Sequence, residues 1–172
     1  MSESFNELNK ELQEFISRQK MFFVATAPEN GNIAISPKCM DTFRCLDRKT
    51  IIYLDLKGSG NNTAMNIQEN GRMAMMFCSF DKDPMILRLY GKGEVVRQDD
   101  VKWSEYYRHF QHIHGKRQII LLKINSAQTS CGTSVPVYEF KRERSKLNAW
   151  GKLNIMEIGK QIVSKFLKTG IV

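Results

Sequence analysis

Between residues 21 and 133 the chain is a succession of short, β-rich apolar runs, each closed by turn residues, and this pattern is what most restricts its fold. The run MFFVATA at 21–27 leads into Glu29-Asn30-Gly31, where Asn-Gly predicts a hairpin turn. Ile33 and Ile35 mark the return strand, which Pro37 is expected to stop because it removes a ladder donor. IIYLDL at 51–56 reads as a third strand. Residues 73–80 and 85–96 form a fourth and fifth, joined by an Asp-Lys-Asp-Pro turn, and 118–124 form a sixth that is expected to continue towards 129–133. Helical spacing lies mostly outside this block. It predicts an amphipathic opening helix over 5–18 (Leu8, Leu12, Phe15, Ile16), a short one over 64–69 ending at Asn70-Gly71 and an aromatic-rich one over 101–110. Two more are expected over 142–151 and 156–167, the latter with Ile158, Ile162, Val163, Phe166 and Leu167 on one face. The chain reads as mainly β (α+β): a small antiparallel barrel with peripheral helices.

At 172 residues, the chain is expected to bury about 70% of its unfolded surface, enough for one core and too little for two ordinary domains. One domain over 1–172 is expected, with a barrel core at about 20–140 and C-terminal helices at about 141–170. An apolar share of 42% and a charged share of 26% exclude a disordered or fibrous chain. No apolar run approaches the ~18–20 residues of a membrane span. The acidic, polar start lacks signal-peptide character, and Cys39, Cys45, Cys78 and Cys131 suggest reduced sulfur, so a cytoplasmic protein is expected.

The net charge of +8 is concentrated late: residues 141–172 hold eight Lys/Arg against two Asp/Glu, whereas 1–40 are slightly acidic. Either a phosphate or nucleic-acid ligand or a solvated helix face accounts for this excess. A nucleic-acid-binding barrel is a third-ranked reading, because the basic residues alternate with an apolar helix face.

The loop 57–63, KGSGNNT, is the most informative stretch. Gly58 and Gly60 permit close backbone approach, while Ser59, Asn61, Asn62 and Thr63 offer neutral donors and Lys57 a charge. A helix starting near Thr63 would point free amides at the same place, making a phosphate pocket; the alternative is an ordinary strand-to-helix loop. The sequence does not fit the Walker pattern. Lys38, after Ser36-Pro37, either projects from a barrel mouth towards an anion or is a surface lysine. Asp55, inside an apolar strand, is either a barrel-edge surface residue or a polar ligand contact. His109, His112 and His114 lack the arrangement of a catalytic zinc site, and Cys39 and Cys45 lack metal or redox spacing. No nucleophilic triad, general acid or general base is assigned.

Taken in order, FFVATAPENGNIAISPK, DTFRCLD, IIYLDLKGSGNNTAMNIQENGRMAMMFCSF and ILRLYGKGEVV resemble the pyridoxamine 5′-phosphate oxidase-like flavin-binding split-barrel superfamily; TSCGTSVP resembles one bacterial subgroup. The resemblance implies a six-stranded antiparallel split barrel that forms a homodimer with FMN between the subunits. It implies an FMN-dependent oxidoreductase acting on a small-molecule substrate. By the same resemblance Ser36, Pro37, Lys38, Lys57, Ser59, Gly60, Asn61, Asn62 and Thr63 hold the phosphate and ribityl chain, Tyr53, Leu54 and Asp55 line the isoalloxazine edge, and Arg88 faces the flavin. The true oxidase has an Arg-Lys pair where Asn62 and Thr63 stand here, and its C-terminal substrate-gripping motif has no counterpart. Pyridoxine-phosphate oxidation is therefore not expected, and a deazaflavin or haem remains open beside FMN, as does a haem-handling role.

Overall fold

The computed structural model describes residues 2–58 and 60–143. Ser59 and, beyond Glu143, the helices expected over 142–151 and 156–167 lie outside the described residues, together with most of the basic C-terminal excess.

The described residues form one antiparallel sheet of eight strands, β1 (Glu3–Phe5), β2 (Met21–Thr26), β3 (Ala34–Cys39), β4 (Phe43–Cys45), β5 (Thr50–Leu56), β6 (Arg72–Cys78), β7 (Met85–Arg97) and β8 (Lys116–Cys131). They carry three α-helices, α1 (Lys10–Arg18), α2 (Asn62–Asn70) and α3 (Trp103–Tyr107). The six expected strands are present, and two three-residue strands, β1 and β4, add to them. The order is β3-β2-β6-β7-β8-β5-β4, with β1 on β8. The sheet curls into an open barrel around a core that includes Phe22, Val24, Tyr53, Phe77, Leu87 and Ile120.

Local chemistry explains where the elements differ from expectation. Residues 3–5 pair with 127–129 of β8, so the opening helix starts later, at an Asn9 side chain that accepts from the Leu12 amide at 2.9 Å. Leu12, Phe15 and Ile16 of α1 enter the core. β3 runs through Pro37 instead of stopping there. It is the edge strand, so a proline on its open side costs no ladder bond. The β2–β3 connection spans residues 27–33 rather than a two-residue turn. The last expected strand and its continuation form a single strand, β8. The aromatic-rich helix shortens to α3, whose Trp103 and Tyr107 rings stack at 5.1 Å.

Two positions fix how the long β7–β8 ribbon coils and how α2 lies on it. The β7–β8 register shifts between Tyr90 and Gly91, and a Cβ on Gly91 would overlap the Lys123 carbonyl oxygen. Gly71, at a φ of 71°, ends α2 with its amide on the Ile67 carbonyl at 2.8 Å. Gly91→Ala is expected to destabilise the fold by about 3 kcal/mol, because backbone must move to admit the methyl group. Gly60→Ala, with open space at its Cβ, should stay within about 0.5 kcal/mol. Urea denaturation of both variants checks the contrast.

Candidate functional site

β5 presents different chemistry on its two faces. Ile52 and Leu54 turn outward into a second apolar cluster with Val96, Phe110, Ile119 and Leu121. Ile51 and Tyr53 turn inward, and by the alternation of a strand Asp55 follows them. On β3, the register opposite Phe22 and Val24 turns Lys38 and Ser36 inward as well. The curl of the sheet brings these two strands together. The Lys38 ammonium donates to Asp55 Oδ1 at 3.0 Å and stands 5.6 Å from the Tyr53 ring centre.

A second structural event completes the cluster. Asp55 pairs with Gln118 and Leu56 with Lys116, so Arg117 is an extra residue in β8. A bulge of this kind re-aims a side chain, and here Arg117 reaches the loop after β5. Its Nη1 donates to Gly60 O at 2.6 Å and Asn61 Oδ1 at 3.1 Å, and its Nη2 donates to Leu56 O at 3.1 Å and Gly58 O at 3.3 Å. Gln118 Nε2 donates to Asp55 Oδ2 at 3.0 Å and to Asn61 Oδ1 at 2.8 Å. Asp55 is 6% exposed and Gln118 4%, so these bonds are shielded from water.

Two polar atoms in this region have no partner. Ser36 Oγ and Tyr53 Oη are buried without a hydrogen bond. Burial, and then the Asp55 charge, pushes the Tyr53 phenol well above its ordinary range, so it stays a neutral O–H donor. A buried group left without a partner in a native fold calls for an explanation, and a bound ligand is one. At the start of α2, Asn61 occupies the cap position but its side chain makes no capping bond, and the first turn carries no acidic residue. The backbone amides there face an electropositive helix end suited to an anion.

Of the residues singled out in the sequence, Ser36, Lys38, Tyr53, Asp55 and Asn61 are therefore linked to one cluster. Asn62 and Thr63 open α2 beside it, while Lys57 and Gly60 lie exposed in the adjoining loop. Asp55 is a buried contact and not a surface residue. Pro37 faces outward on the edge strand, and the Leu54 side chain belongs to the outer cluster, leaving only its backbone near the site. Arg88 sits on the outer face of β7, bonded to Ser130 Oγ at 2.9 Å, away from the cluster. Arg117 and Gln118 were not singled out in the sequence. A lone glutamine leading the apolar run IILL was the available signal for Gln118; the bulge that redirects Arg117 leaves no mark in one sequence. The His112 and His114 rings meet edge-on at 5.0 Å, and among the described residues no group of three His, Cys, Asp or Glu is placed to hold a metal ion. A groove of about 710 Å³ lies elsewhere, between α1, β4 and Phe140.

A curled antiparallel half-barrel with an anion-receptive loop at its seam defines the class of this protein. The sequence profile of the pyridoxamine 5′-phosphate oxidase family matches residues 8–131, and the chain belongs to that family. It is 36% identical over 140 residues to the pyridoxamine 5′-phosphate oxidase family protein ustO of Aspergillus flavus, a match covering 78% of this chain and 56% of that one. The chain thus spans little more than half the length of this curated relative. Its fold is similar to HupZ of group A Streptococcus (21% identity, TM-score 0.57, 71% of this chain and 98% of that one). It is also similar to a pyridoxamine 5′-phosphate oxidase-related, FMN-binding protein of Nostoc punctiforme (12% identity, TM-score 0.54, 71% and 84%). No helix among the described residues is long and apolar enough to cross a membrane.

If Lys38 and Asp55 act as a pair, Asp55→Ala should lower stability by about 2–3 kcal/mol, because Lys38 and Gln118 lose a shielded acceptor. Adding Lys38→Met should return roughly half of that loss, since the stranded ammonium is removed. Strictly additive losses in urea denaturation would show that the two side chains do not interact.

Proposed function

We propose that this chain binds FMN at the seam between β3 and β5 and acts as a cytoplasmic, homodimeric oxidoreductase on a small-molecule substrate. The observation that carries this reading is the convergence of Lys38, Asp55, Gln118, Asn61 and Arg117 beside two buried hydroxyls that have no partner within the chain. The donor set suits a phosphate-ended, ring-bearing cofactor. Lys57, Lys38 and the uncapped amides of α2 would hold the phosphate, and Tyr53 Oη and Ser36 Oγ would supply neutral hydrogen bonds that the protein itself leaves unused. Asp55 keeps Lys38 in position and leaves a net positive field, because Lys38, Lys57, Lys116 and Arg117 outnumber it at this end of β5. The flavin, when bound, supplies the hydride or electron transfer; the chain binds and orients it. FMN binding by the Nostoc punctiforme relative supports the choice of cofactor. All four cysteines are free, which suits a reducing compartment.

The outer sheet face supports the dimer. The pairings Phe23–Met76, Met76–Arg88 and Ala74–Tyr90 place a largely apolar surface across β2, β6 and β7, extended on β3 by Ile35, which is 69% exposed. Contiguous apolar surface of this kind commonly marks an interface. Light scattering should give twice the chain mass, and Met76→Asp should give the monomer, because a charge cannot be buried there. A wild-type monomer at working concentrations would remove the dimer.

Cofactor binding is checked by the visible spectrum of the protein before and after adding FMN. A bound-flavin spectrum that saturates at one FMN per chain and bleaches with a nicotinamide donor is expected. Tyr53→Phe should weaken FMN by roughly 2–10-fold with no loss of stability in the unliganded protein, since its hydroxyl has no partner there. A protein that binds neither FMN, a deazaflavin nor haem ends this reading. Uptake of haem alone would replace the flavin and keep the fold.

A further inference from the structure

Both N-terminal caps in the described helices of eight or more residues are asparagines, and they behave differently. Asn9 accepts from the Leu12 amide at 2.9 Å and caps α1. Asn61 makes no such bond to α2. The reason is visible: its Oδ1 already accepts from Arg117 at 3.1 Å and Gln118 at 2.8 Å. Arg117 reaches this acceptor only because the β8 bulge inserts it opposite the Asp55–Leu56 step, and the same guanidinium ties the Leu56, Gly58 and Gly60 carbonyls. The polar chain from Asn61 runs through Gln118 to Asp55, two residues along the same face of β5 from Tyr53, whose hydroxyl is fully buried and unpartnered. An unused cap and an unused hydroxyl are thus joined to one network.

We infer that Arg117 is a positioning residue that, with Gln118, withholds the Asn61 side chain from the first turn of α2 and so keeps those amides open for the cofactor's phosphate. This rests on the flavin reading and assigns Arg117 a role specific to the phosphorylated end of the ligand. Arg117 acts through Asn61 and through the loop carbonyls. Its effect is therefore on the discrimination between FMN and riboflavin, which share a ring and differ in the phosphate.

The test measures dissociation constants of the full-length chain for FMN and riboflavin by fluorescence quenching. Arg117→Gln is expected to weaken FMN about tenfold, the scale of a side-chain cap competing for the same amides, and to leave riboflavin unchanged within about twofold. Arg117→Lys keeps the charge but lacks the planar fork, so it should weaken FMN about as much as Arg117→Gln. In Arg117→Gln/Asn61→Ala the competing cap is gone, and FMN affinity should return to within about threefold of wild type. Equal losses for FMN and riboflavin, no loss for FMN, or full rescue by Arg117→Lys would each overturn the inference. If Arg117→Gln does not fold, Asn61→Ala decides. FMN affinity at or above wild type supports the withheld cap, and a loss of about tenfold confined to FMN overturns it by making Asn61 a ligand. Wild-type protein that binds neither flavin removes the flavin reading itself, a result distinct from any of these and one that also takes this inference with it.

Discussion

The contact on which the rest of the architecture depends is the ion pair between Lys38 and Asp55. β3 and β5 stand at opposite ends of the strand order, with β2, β6, β7 and β8 between them, and no ladder bond joins them. Only the curl of the sheet brings their inward faces together, and a 3.0 Å charge-assisted bond spans the resulting seam. Beside it the apolar core supplies the bulk of the closure. Phe22 of β2 meets Phe43 of β4 at 5.1 Å, Tyr53 of β5 at 5.6 Å and Phe77 of β6 at 5.8 Å. These rings bury large apolar area in edge-on and stacked contacts, and hold the two ends of the sheet at one distance. The ion pair then fixes orientation: a one-residue slip of β3 would turn Lys38 outward and leave Asp55 without its partner.

Much of this was legible in the sequence, for stated reasons. Strands were marked by apolar runs between turn residues, and α2 by its Asn-Gly end, because those signals are local. The Pro37 stop failed because a strand's position in the sheet decides whether a proline matters, and sheet order is not local. β4 and β1 were missed because three residues carry no period. At the site, Lys38, Tyr53, Asp55 and Asn61 could be singled out from the resemblance and from their setting in apolar or glycine-rich sequence. Arg88 could not be excluded without knowing which face of β7 is inward, and Arg117 could not be found without the bulge. The errors therefore cluster where side-chain direction depends on register.

The polar cluster departs from what a stable core would choose. A buried carboxylate, a buried amide and two hydroxyls without partners occupy space that apolar side chains would fill more favourably. Such departures from local consistency gather at functional positions, since selection for binding tolerates them there. Here the departure is graded. Asp55 has an acceptor bond on each oxygen, whereas Tyr53 and Ser36 have none. The charged group is satisfied within the chain and the neutral donors are left over. That is the arrangement a site needs if it is to stay folded when empty and still offer hydrogen bonds to a ligand.

The two-faced character of β5 explains how such a site keeps its shape. Tyr53 and Asp55 look into the seam, while Ile52 and Leu54, their neighbours in sequence, pack outward with Val96, Phe110, Ile119 and Leu121 under Trp103, Tyr106 and Tyr107. A strand gripped by apolar contacts on its reverse side cannot rotate to satisfy its polar residues with water. α3 and the segment ending at Phe110 therefore act on the site from behind: they touch none of its polar atoms, yet their packing holds Asp55 where Lys38 and Gln118 meet it. Arg44 extends the same logic to the neighbouring strand, lying over the Phe110 ring at 5.1 Å and donating to the His109 carbonyl at 2.8 Å. Positional accuracy at the seam is thus supplied by a second core that the chemistry never contacts, which is why the apolar face of IIYLDL matters to the site as much as the two polar residues within it.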